Sequence, residues 1–287
     1  MSATDLPAIR LALQPLLGDE HLSKSAVSRV VARLKLLFTA WSQRDLLGEG
    51  YAVLFLDRFH LKVRLARRVV SVPVLAVLGI REDGQKALVA LQLAASEAEV
   101  NWAEVIANLE RRGLAEPLLL VVDGHQGLGK ALARWPGVKV QRCAAHKARN
   151  LADHCPAHAR AEMKRDYHRI VFAADGPAAR AAYDAFLTKW SKLCPAVARS
   201  LAESGLELLT FYEFPKSMWK SLRTTNALEN LNRELRRRTK TQASFSTEQA
   251  AVTLLYGLVA FGQIKLRRID GHRALAALVA KQGTVAA

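Results

Sequence analysis

Three carboxylates frame the chemistry open to this chain. Asp57 follows the apolar run Tyr51–Leu56, and Asp123 follows Leu119-Leu120-Val121-Val122. Glu229 lies in Asn226-Ala227-Leu228-Glu229-Asn230-Leu231-Asn232-Arg233. Each aspartate alone also reads as a turn residue at the carboxyl end of a predicted strand, and Asp123-Gly124 is a good turn dipeptide. In the third stretch, Asn226, Glu229, Asn232 and Arg233 recur at i, i+3, i+6 and i+7, so they share one helix face. Leu228, Leu231 and Leu235 form a second, apolar face that can anchor the helix. Asn-x-x-Glu reads as a capping box too. Taken together, two strand-end carboxylates and one on a helix can bind two hard divalent cations through oxygen. Such a pair activates a water or a 3′-hydroxyl and stabilises the leaving oxygen of a phosphodiester.

The elements that must position them follow in order. Residues 1–47 read as helical. A Gly18 break and a Ser-capped basic helix near Lys24–Leu34 resemble a helix-turn-helix, and an ordinary amphipathic pair fits as well. From Tyr51 the period changes to that of strands. The expected strands are Tyr51–Leu56 with an alternating run His60–Leu65, Val69–Ile80, Lys86–Leu93, Pro117–Val122 and Val138–Arg142. A helix is expected over 97–112, closed by Gly113, and a loop with a short helix over 124–135. Three strands, a helix, a strand, a helix and a strand make a mixed α/β sheet. From about 144 to 222 the spacing is helical, with breaks at Pro156, Gly176-Pro177, Cys194-Pro195 and Gly205. Ser246-Thr247-Glu248-Gln249 opens another helix, and the Ala-rich tail from Gly271 one more.

The chain has 287 residues with Lys+Arg 42 against Asp+Glu 26, a net charge of +16. That field points to nucleic acid or an anionic membrane. Neither a lipidation motif nor a basic amphipathic anchor supports the membrane, and no apolar run is long enough to span one. No secretory signal is read at the start. Three cysteines (Cys143, Cys155, Cys194) suit a reducing cytoplasm better than a disulfide framework. Cys143-x-x-His146 supplies two zinc-type ligands where a structural site wants four, so zinc is not expected. Cys143 is placed under the sheet end and His146 and His125 toward the carboxylates, a plain surface histidine being the other reading of His125. Arg233, Arg236, Arg237, Arg238 and Lys240 read as a solvated face or as a grip on phosphate. Trp219 reads as core packing or as a stacking platform for a base.

Four stretches occur here in order. They are Leu56-Asp57 with Lys62-Val63-Arg64, Val122-Asp123-Gly124-His125-Gln126-Gly127-Leu128, Gln141-Arg142-Cys143-Ala144-Ala145-His146-Lys147-Ala148-Arg149-Asn150, and Thr224-Thr225-Asn226-Ala227-Leu228-Glu229. Together they resemble the Mutator-type transposases of bacterial insertion sequences, over about 22–261. The resemblance implies an RNase H-like mixed sheet with an all-helical insertion, preceded by a short helix-turn-helix-like segment. The layout expected is a helical DNA-binding remnant at 1–48, a catalytic domain at 49–270 interrupted at about 147–222, and a helical tail at 271–287. It implies a DDE enzyme that cleaves and transfers DNA strands, with Asp57, Asp123 and Glu229 holding Mg²⁺ (Mn²⁺ as substitute). His125, Cys143, His146 and Asn226 would support that site. Lys62, Arg64, Arg149, Arg233, Arg236–Arg238 and Lys240 would contact double-stranded DNA, at the element ends and at the target. A homodimer or larger assembly on DNA, in the bacterial cytoplasm at the nucleoid, is implied as well. A nuclease on the same fold and a shortened, inactive DNA-binding competitor are the alternatives. The chain departs from the family at Arg58-Phe59-His60, Arg223 and Gln242.

Overall fold

The structure, a computed structural model, describes residues 24–65, 68–93, 102–123, 134–239 and 247–283. After the helix α1 (Lys24–Gln43) come β1 (Tyr51–Leu65), β2 (Arg68–Arg81) and β3 (Lys86–Leu93), an antiparallel meander. β2 turns into β3 at Gly84, whose φ of 83° suits a residue without a Cβ. α2 (Trp102–Arg111) then leads to β4 (Leu119–Val122) and β5 (Lys139–Arg142). β4 pairs in parallel with β1, and β5 in parallel with β4. The result is a mixed α/β architecture on a five-stranded sheet of order β3-β2-β1-β4-β5.

Strand alternation sorts the core onto two faces. Leu54 and Leu56 of β1 pack with Leu120 and Val122 of β4 against Trp102, Ile106 and Leu109 of α2. Val53, Phe55, Phe59 and Leu61 face the other way, with Val121. That second face is covered by α8 (Asn226–Thr239) through Leu228, Leu231 and Leu235, and by α9 (Glu248–Ala260). α1 lies over α9, where Phe38 and Trp41 meet Tyr256. Within the expected start at 246–249, Thr247 caps α9, because its hydroxyl accepts from Ala250 N–H.

Between β5 and α8 runs a helical block with its own core. It comprises α3 (Ala144–His154), α4 (Arg160–Val171), α5 (Gly176–Leu193), α6 (Pro195–Ser204) and the short α7 (Trp219–Leu222). Trp190, Phe186, Leu151 and Ile170 are buried within it. Of the Pro and Gly breaks read from the sequence, Gly176-Pro177 and Pro195 open α5 and α6, Gly205 closes α6, and Pro156 lies in the turn between α3 and α4. Asp175 caps α5 and Pro177 follows in its first turn. The tail forms α10 (Arg273–Gly283). Trp219 packs edge-on against Phe211 and Tyr212 and donates Nε1–H to Phe214 O, so it is a core residue. The first of the two expected N-terminal helices, the start of the 97–112 helix and most of 124–135 lie outside the described residues. Among the described residues no helix is long and apolar enough to cross a membrane.

One expectation needs correction. Asp57 does not end its strand but sits in the middle of β1, opposite Ala76 of β2. The antiparallel ribbon runs on to Leu65↔Arg68; only the parallel partner stops, its last pair being Leu56↔Val122. The loss of apolar continuity at Asp57 marks the end of β4, not of β1.

Candidate active site

Register brings the first two carboxylates together. Because Leu56 pairs with Val122 and Val122 with Arg142, the next residues, Asp57, Asp123 and Cys143, fall level across three adjacent strands. Neighbours in register point to the same side of a sheet. Asp57 therefore projects on the face that carries Phe55 and Phe59, toward α8. The chain turns at Cys143, whose N–H donates to Val122 O, and α3 begins at once. Its first turn folds His146 back over Asp123, with Nδ1 3.0 Å from Oδ1. Asp57, Asp123 and His146 each offer an atom within 4.8 Å of the others, a possible metal site.

Glu229 approaches from α8. Its Oε1 lies 3.7 Å from His146 Nε2 and takes a hydrogen bond from Arg149 Nη2 at 2.6 Å. It is outside the tightest set, joined to it through the imidazole. The capping reading fails on two counts. Asn226 is the first residue of α8, preceded by Thr225, and its own N–H donates to Thr224 Oγ1 at 3.4 Å. The Glu229 carboxylate is engaged with Arg149, not with that N–H. Asn226 itself is exposed.

Electrostatics at this site favour a bound cation. Asp57 is only 5% exposed. Burial, then the Asp123 charge, and more weakly Glu229, push its carboxyl from 3.8 up to about 7. Burial holds the His146 imidazole below its ordinary range despite Asp123 and Glu229 beside it, so it is neutral near pH 7. Contact with Glu229 keeps the Arg149 guanidinium firmly charged.

Thr225 ties these groups together, and sequence reasoning gave it no role. It is fully buried, and its Oγ1 lies 3.4 Å from both Cys143 Sγ and His146 Nδ1. Its N–H donates to Cys143 Sγ at 3.3 Å, and its hydroxyl also bonds Asp57. Burial pushes the Cys143 thiol up, so Cys143 is a neutral post under the site and a poor zinc ligand. The only signal in the sequence was a Thr at the entry to the Glu229 helix. Thr225→Val deletes the hydroxyl alone and with it a bond that lowers the Asp57 pKa. The pH profile of divalent-cation binding should then move to higher pH, with affinity at neutral pH about tenfold lower. Thr225→Ser should restore both, and a profile unmoved in Thr225→Val would remove Thr225 from the site.

The basic residues divide. Arg149 is at the cluster. Arg236 Nη2 donates to His60 O at 3.2 Å, fastening α8 along β1. Arg233 and Arg237 are exposed and bond within their helix, to Asn230 Oδ1 and Glu234 Oε2. Lys62 and Arg64 lie in β1 opposite Ser71 and Val69, and Arg238 lies in α8; their side chains are outside the described set. His125 and Lys240 lie outside the described residues.

Comparison with known proteins agrees in one direction. The sequence model of the Mutator family of transposases matches residues 7–263. The chain is 38% identical over 251 residues to the transposase for insertion sequence element IS406 of Burkholderia multivorans, covering 86% of this chain and 64% of that protein. It is 32% identical over 267 residues to the transposase for IS6120 of Mycolicibacterium smegmatis, covering 92% and 82%. It is 34% identical over 244 residues to that for IS1081 of Mycobacterium tuberculosis, covering 85% and 59%. The chain thus spans less than two thirds of the length of the first and third of these relatives. The match nevertheless runs through every element that builds the carboxylate cluster, and the chain belongs to the Mutator family of transposases.

Proposed function

We propose that this chain is the strand-cutting and strand-joining part of an insertion-sequence transposase, with Asp57, Asp123 and Glu229 as its carboxylate triad on an RNase H-like fold. The approach of Glu229 on α8 to the Asp57–Asp123 pair, where the parallel pairing of the inner strands β1 and β4 ends, carries this reading. The strand order, with an antiparallel meander followed by two parallel strands, supports the fold. The donor set suits a divalent cation: the carboxylate oxygens of Asp57 and Asp123 with the His146 imidazole beside them, and a buried acid whose proton its neighbours favour. Magnesium held there would activate the attacking hydroxyl and stabilise the leaving oxygen of the phosphodiester.

The other residues prepare that chemistry. Thr225, itself held by Cys143, fixes the Asp57 carboxylate, and His146 holds Asp123 in place. Arg149 neutralises Glu229 at rest; a DNA phosphate entering beside it would compete for the same guanidinium. Arg233, Arg236 and Arg237 carry positive charge along the exposed side of α8, and Lys62, Arg64, Arg238 and Lys240 are further basic candidates in the sequence.

The deciding experiment is magnesium-dependent cleavage and joining of DNA that carries the repeats flanking the coding region, comparing the chain with Glu229→Gln. Product from the unaltered chain alone is expected. Equal product from both would remove Glu229 from the triad. No product from either, with DNA still bound, would leave a DNA-binding remnant.

A further inference from the structure

The helical block presents a face that the catalytic reading does not use. On α4, Lys164, Arg165, His168 and Arg169 are all exposed, at spacings that align them along one side of the helix, and they line a shallow groove. The acids of α4 turn away from it. Glu162 pairs with Lys189 at 2.5 Å; the buried Asp166 takes Lys189 at 2.6 Å and Trp190 Nε1 at 3.1 Å. Asp166 reaches this side only through Arg169, at 3.2 Å. Among the described residues no carboxylate pairs with Lys164 or Arg165.

An aromatic stack extends the face. The His168 ring lies on Phe172 at 3.9 Å with an interplanar angle of 16°, and the Arg223 guanidinium sits 4.1 Å from the Phe172 centroid. Phe172 is 51% exposed, unusual for a phenylalanine ending a packed helix. A row of cations leading onto a guanidinium–aromatic stack has the composition of a nucleic-acid surface.

Its place in the fold points the same way. Tyr167, on the buried side of α4, donates its hydroxyl to Ala144 O at 2.8 Å, and Ala144 N–H donates to Arg223 O at 2.9 Å. Ala144 stands between Cys143 and His146, and Arg223 stands two residues before Thr225. The basic face is thus fastened to both segments that build the carboxylate cluster. Arg223 thereby bridges the block and the segment that enters α8.

We propose that the α4 face, from Lys164 and Arg165 through Arg169 to the Phe172–Arg223 stack, binds the phosphate backbone of the DNA whose strand enters the carboxylate cluster. This rests on the transposase reading. The test is fluorescence anisotropy of the full chain with a labelled DNA duplex of arbitrary sequence over a series of salt concentrations. The K164A/R165A/R169A variant is compared with R180A/K192A/R199A, which removes equal charge from exposed sites elsewhere on the block. The first variant should lower the slope of log K against log salt by about 2 to 3 and weaken binding at least about tenfold, since each lost phosphate contact removes about 0.9 from the slope. The second should leave the slope nearly unchanged. Equal changes in the two variants, or none in the first, would overturn the proposal while leaving cleavage by the triad to its own test. All six side chains are exposed, and matching circular dichroism and melting curves would confirm that both variants fold.

Discussion

Asp57→Asn is expected to abolish DNA cleavage and, at the same time, to make the metal-free protein more stable above neutral pH. The first effect follows from the proposed triad, since losing one charged ligand removes most of the cation's hold; a drop of at least about a thousandfold is expected. The second follows from where the carboxyl sits. It lies in an otherwise apolar stripe of β1, between Phe55 and Phe59, and faces Asp123. Its pKa rises from 3.8 to about 7 on folding. Between those values the folded chain holds a proton that the unfolded chain has lost. Stability is therefore greatest below about pH 4, falls as pH rises toward 7, and is flat above. The full penalty at high pH would be roughly 4 kcal/mol; residual access of water and relaxation around the charge reduce it, so the neutral isostere should gain about 2 kcal/mol. That corresponds to a melting temperature about 5 °C higher at mildly alkaline pH, and to no gain near pH 4. Scanning calorimetry at the two pH values, without divalent metal, measures it. An Asn variant less stable than the parent at both would mean that Asp57 has a structural partner stronger than its desolvation cost.

A gain in stability on losing activity is the mark of a site assembled for a ligand rather than for the fold. The same pattern shows why parts of this site could be read from the sequence and parts could not. Leu119-Leu120-Val121-Val122 is buried on both faces, so its continuous apolar run and its end at Asp123 were plain. Asp57 was found because apolar continuity broke there. The break was misread as a strand end because one sequence cannot show that β1 changes partners at that residue. The helical block was legible from Ala and Leu spacing punctuated by proline. What escaped is tertiary: Thr225 meets Cys143 across 82 residues, and Arg223 meets Phe172 through the folding of the block. No local pattern encodes either contact.

The strongest dependence on conditions should appear in the binding of divalent cation to the free protein. Near pH 6 the Asp57 carboxyl is largely protonated, and a cation can bind only by displacing that proton. Affinity for magnesium, or manganese as its substitute, should therefore fall about tenfold for each pH unit below about 7 and level off above about 8. His146 contributes less of the released proton than Asp57, because burial holds its imidazole below its ordinary range and favours the neutral form. Titration calorimetry in buffers of different ionisation enthalpy separates proton release from binding heat. Close to one proton released near pH 6, and none at mildly alkaline pH, is the expected result. Asp57→Asn should release none at any pH and bind weakly throughout. Thr225→Val, which leaves the carboxyl in place but takes away a hydrogen bond that favours its charged form, should carry the whole curve to higher pH. Affinity equal at pH 6 and pH 8 in the unaltered chain would mean that Asp57 is charged before any cation arrives. The buried acid would then be stabilised by the protein itself, and the case for a cation between Asp57 and Asp123 would lose its electrostatic basis.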